Sequence, residues 1–129
     1  MTRTAIARNV FFVLLGVTAL VLKRHYCGPF VETVYSYGGN VSASFAVYFV
    51  IGISTFGRRF GRVVTAGIAL LVVELFEATD GFGVMTNVYD RFDFVANAVG
   101  IGLALLIDTV ASRISTLRLN RRERTASGT

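Results

Sequence analysis

The chain has 129 residues, of which 53% are hydrophobic and only 16% charged, with a mean hydropathy of +0.61. That length holds one domain at most, and the charged fraction falls well below the roughly 25% of a soluble domain. A net charge of +5 and a pI near 10.0 raise the question of nucleic acid. The basic residues answer it: apart from Lys23, Arg24 and Arg91 they sit at the N-terminus, in one short central hairpin and in the C-terminal tail, separated by long apolar runs. This is the layout of loop charges in a polytopic membrane protein, and no nucleic-acid partner is expected.

The first apolar segment spans about 5–22. Arg8 and Asn9 lie near its start, where Arg8 can snorkel to the interface. Lys23, Arg24 and His25 follow where a signal peptide would carry small residues, so the segment reads as a retained helix. Next comes KRHYCGPFVETVYSYGGN, with the only proline, Pro29, as a chain break and Tyr26, Tyr35 and Tyr37 as headgroup-level residues. Residues 24–40 read either as a loop or as a short interfacial helix. Cys27 stands alone, which excludes an intrachain disulfide and any CxxC metal site; neither metal nor cofactor is expected.

The second helix is predicted over about 41–56, the short GRRFGR connection follows, and the third helix runs over about 62–80. The fourth spans about 92–111 and leads into a basic tail, 113–129. No sustained period-two alternation supports a β-barrel. The fold class predicted is therefore all-α, a single domain of four transmembrane helices in an antiparallel bundle. With the N-terminus inside, Arg3, Arg8, Arg58, Arg59, Arg62, Arg113, Arg118, Arg121, Arg122 and Arg124 fall on the cytoplasmic side. Only Lys23, Arg24 and Arg91 fall outside, so the charge bias predicts both termini in the cytoplasm of an inner-membrane, multi-pass protein.

Most carboxylates run the other way. Glu32, Glu77, Asp80, Asp90 and Asp93 mark the outer side, and Glu74 lies about 9 Å below that edge at the helical rise. Glu74 and Glu77 share one helix face, as do Asp93 and Asn97, and these two faces are expected to meet. Intramembrane ionisable groups are costly unless partnered, so Glu74, Glu77, Asp90, Arg91, Asp93, Asn97 and His25 are the ligand-binding candidates. Structural roles compete for several of them. Asp90 or Asp93 suits the N-cap of the fourth helix, Asn97 an interhelical hydrogen bond, and His25 a plain surface position. Asp108 is expected to pair with Arg62 or Arg113. Ala96, Gly100 and Ala104, spaced by four, form a stripe for close helix packing.

The span from Glu74 to Gly102 resembles the VanZ-like family of bacterial membrane proteins. The shared features are a carboxylate near the end of one helix, then Asp93, Ala96-Asn97 and Gly100-Ile101-Gly102. Glu77 stands where that family often has Gln, and DGFGVMTNVYDR replaces its usual loop. The family's namesake is an accessory protein of glycopeptide resistance. The resemblance thus implies an envelope-associated accessory protein whose partners are membrane lipids and a lipid-linked or glycopeptide-type ligand. Two alternatives stay open: an intramembrane acid/base enzyme on a lipid-linked substrate, built on Glu74 and Asp93, and a small proton-coupled transporter. The balance leans away from an enzyme, since no nucleophile–base pair is visible.

Overall fold

A run of twenty residues without proline or mid-segment charge forms the first helix, α1, Arg3–Leu22, and it closes with a 3-10 turn over Lys23–His25. The computed structural model describes residues 3–79 and 90–127. Among these, three further helices follow: α2, Val31–Ile53; α3, Thr55–Ala78; and α4, Arg91–Ser127. No strand occurs among the described residues.

The second helix differs from its predicted bounds of 41–56. Residues 31–40 are neither a loop nor a separate interfacial helix; they are the first turns of α2. Pro29 stops the chain just before it, Phe30 takes a left-handed conformation (φ 58°), and the amide of Val34 then donates to the Phe30 carbonyl at 3.0 Å. Gly38-Gly39 does not interrupt the helix, because Gly39 is a packing position. A Cβ there would meet the Lys23 ammonium, which donates to the Tyr35 carbonyl at 3.3 Å.

The GRRFGR connection is likewise more ordered than predicted. Helix resumes at Thr55 and breaks at Gly61, whose φ of 80° a side chain would resist. The straight part of α3 therefore starts at Arg62, as expected from the sequence. The fourth helix does not end near residue 111; it continues through the basic tail to Ser127. No glycine or proline occurs from Leu103 to Ser127, so nothing in that stretch ends it, and its 37 residues span about 55 Å.

α2 is the central element. It packs against each of the other three helices, α3 and α4 also touch, and α1 approaches no helix but α2 through its backbone. Small residues permit these approaches. A Cβ on Gly16 of α1 would lie 3.0 Å from the Ser42 carbonyl. On α4 a Cβ at Gly100 would collide with Ser44 Oγ and the Val41 carbonyl. The stripe of Ala96, Gly100 and Ala104 is buried and seats α4 on α2. Phe12 of α1 stacks on Phe49 of α2 at 4.8 Å, and Phe45 and Tyr48 complete an aromatic cluster around it.

Polarity is inverted relative to a water-soluble bundle. Asn9, Ser44, Thr65, Asp93, Asn97 and Asp108 are buried, whereas Phe11, Leu14, Val63, Leu71, Val95 and Leu106 face outward. An aqueous surface disfavours such a continuous apolar exterior, and a lipid one favours it. Two segments, Arg3–His25 and Arg91–Arg121, are long and apolar enough to cross a membrane.

Candidate functional site

The polar interior is divided between the two ends of the bundle, and α4 links them. Its buried positions Asp93, Asn97, Gly100, Ala104 and Asp108 recur at intervals of three and four, forming one inward stripe with an aspartate at each end.

At the acidic end, Asp93 receives a hydrogen bond from Asn40 Nδ2 of α2 at 2.6 Å, the short length of a bond to a charged acceptor. The carboxyl of Glu77, from α3, lies beside Asp93. The expected meeting of α3 and α4 therefore occurs through Glu77 and Asp93, with α2 contributing as a third wall. Glu74, one turn deeper on α3, has a buried Oε2 with no hydrogen-bond partner among the described residues. Asn97 is buried one turn below Asp93.

Asp90 is the N-cap of α4: its Oδ1 accepts from the amide of Phe92 at 3.1 Å. Its other oxygen accepts from the Tyr37 hydroxyl at 3.1 Å. Tyr37 also packs edge-on against Phe92, 6.1 Å away. Arg91 is exposed on the first turn of α4, and His25 is exposed in the 3-10 turn after α1. The structure thus gathers Glu77, Asp90 and Asp93 with Tyr37 and Asn40, which the sequence did not single out as site residues, and leaves His25 and Arg91 at the surface. Segment 80–89, with Asp80 and most of the loop that departs from the VanZ-like pattern, lies outside the described residues.

At the arginine end, Asp108 is the hub. Arg8 Nη2 approaches its Oδ1 at 2.5 Å, Arg62 Nε approaches its Oδ2 at 3.0 Å, and the Tyr48 hydroxyl donates to Oδ2 at 3.1 Å. Arg8 further donates to Asn9 and to Ser112. All four helices thus meet at one carboxylate, and Arg62, not Arg113, is the pairing the structure selects from the two expected. Arg8 is not a snorkelling residue. It reaches across the interior to α4, with 23% of its side chain exposed. Its signal in the sequence was the adjacent Asn9, a second polar group with no reason to sit in an apolar run unless both face inward.

The two ends differ chemically. The carboxylate at the arginine end is fully engaged, whereas the acidic end holds more acceptors than donors. Among the described residues no three of His, Cys, Asp and Glu converge so as to hold a metal ion. No protein-family model, no curated protein and no solved structure matches the chain.

Proposed function

We propose that this chain is an inner-membrane protein of four transmembrane helices, VanZ-like in type, with both ends in the cytoplasm. In this reading it is an accessory protein of the cell envelope. Its acidic end takes the headgroup of a lipid or lipid-linked cell-wall precursor at the outer leaflet. The observation that carries the reading is the buried Oε2 of Glu74, without a partner among the described residues, next to the carboxyls of Glu77 and Asp93. A buried acceptor without a donor is costly, and a ligand that supplies the donor removes the cost. The chemistry required is donor-rich: an ammonium group or sugar hydroxyls. Lys23, whose ammonium lies against Gly39 next to Asn40, can hold the phosphate that such headgroups also carry.

Mass spectrometry of lipids co-purified with the intact chain tests this directly. An amine- or sugar-bearing lipid should be enriched, and Glu74→Gln together with Asp93→Asn should lose it while protein levels hold. Equal lipid profiles for wild type and both variants would reduce the cluster to helix packing. The approach of the Glu77 and Asp93 carboxyls favours one second reading, an acid/base enzyme on a lipid-linked substrate. Turnover of that lipid by the purified chain, lost in Glu77→Gln, would decide for it.

A further inference from the structure

The arginine end holds an open cavity of about 410 Å³ between α1 and the other helices, lined by Arg8, Arg62 and Asp108 together with polar and small residues. α1 has no backbone approach to α3 or α4, so the space is crossed by side chains alone. Arg8 and Arg62 enter it from opposite sides, and Asp108 is the carboxylate between them. Two guanidinium groups thus face one carboxylate, which leaves an excess of positive charge in a partly buried site. Donors are also in excess. Arg8 Nε is buried without a hydrogen-bond partner. Arg62 uses Nε on Asp108, and its two terminal nitrogens bond to no described residue. Its side chain is 48% exposed and so reaches the cavity mouth. Ser112 lines the same space and also the neighbouring cleft beside Arg62 and Arg113.

We infer that this cavity binds a phosphate-bearing anion, either the headgroup of an anionic phospholipid or a free phosphate ester. A guanidinium fork matches phosphate oxygens in pairs, and a tetrahedral phosphate offers more acceptors than a carboxylate to the donors left over here. Asp108 holds both forks in place from behind, and Tyr48 and Ser112 hold Asp108. The anion takes up the terminal nitrogens of Arg62 that Asp108 leaves unused and offsets the net positive charge of the site. This site stands apart from the acidic end and does not depend on the function proposed for it.

The test uses the full chain in lipid nanodiscs. With equal phosphatidylglycerol and phosphatidylcholine in the disc, native mass spectrometry should show phosphatidylglycerol retained preferentially. Arg62→Gln should cut that retention by about tenfold, the loss of one charge-assisted interaction. Arg118→Gln with Arg121→Gln, on the exposed tail, should leave it unchanged. In pure phosphatidylcholine discs, inorganic phosphate that raises the unfolding temperature of wild type but not of Arg62→Gln would assign the site to free phosphate. If Arg62→Gln does not fold, Arg8→Lys keeps the charge while losing the fork, and it should show the same loss. No lipid preference and no phosphate shift in folded wild type would overturn the inference, as would retention undiminished in both Arg62→Gln and Arg8→Lys.

Discussion

Arg8 and Asp108 are a hundred residues apart in the chain, yet a guanidinium nitrogen of the first helix lies 2.5 Å from a carboxylate oxygen of the last. The contact bridges two helices whose backbones do not meet. Removing its acidic member should therefore cost more than removing any one basic member. Asp108→Asn strands two arginines and should destabilise the chain by about 3–5 kcal/mol, the range for breaking a buried pair. Arg62→Met, at a half-exposed partner, should cost no more than about 1 kcal/mol. Thermal unfolding in detergent separates the two; equal losses would show that Arg62, not Arg8, carries the interaction.

Close approach of α2 and α4 at Gly100 makes a second prediction. Gly100→Val must displace Ser44 and the Val41 backbone and should destabilise by about 1–3 kcal/mol or more. At Gly67 and Gly102 an added Cβ meets nothing within 4 Å, so alanine there should stay within about 0.5 kcal/mol of wild type. A tolerated Gly100→Val would mean that the two helices sit farther apart than described.

Glu74 should show stability and function pulling in opposite directions. Glu74→Leu removes a buried acceptor without a partner and should stabilise the chain by about 1–3 kcal/mol while abolishing lipid retention at the acidic end. Loss of both stability and retention would instead indicate that Glu74 is hydrogen-bonded in the membrane.

Cys27 provides a topology probe without further engineering, being the only cysteine and exposed. With both termini in the cytoplasm it lies outside, so a membrane-impermeant maleimide should label it on intact spheroplasts. Labelling only after permeabilisation would reverse the proposed orientation and move the acidic end to the inner leaflet.

Hydropathy and charge made the helices legible, but not their neighbours. The start of α4 and the span of α1 follow from where apolar runs meet Arg3, Leu22 and Asp90. An aspartate cap was readable from position, but Asp90 and Asp93 both suited it, and the structure selects Asp90. α2 was predicted too short because Ser36, Gly38, Gly39 and Asn40 dilute its apolar character, although Gly39 turns out to be a packing position and Asn40 a hydrogen-bonding one within the helix. Periodicity gives the face a residue shares, not the helix that face meets. The stripe through Asp93 and Gly100 was therefore visible, but its contact with α2, two helices back in sequence, was not. Tyr48 escaped for the same reason: nothing in VSASFAVYFV marks that hydroxyl as the one that finds Asp108.

The convergence on Asp108 has a consequence for biogenesis. Synthesis proceeds from the N-terminus, so in the proposed four-span topology Arg8 and Arg62 are inserted before the carboxylate they share has been made. A nascent chain halted after α3 holds two unbalanced cations at its arginine end and lacks the helix that seats against Val41 and Ser44. Only arrival of α4 neutralises the first helix and closes the bundle around it. The helix that carries Asp108 is thus the one that locks α1 in place, so a chain truncated after α3 should fail to hold its first helix against the rest.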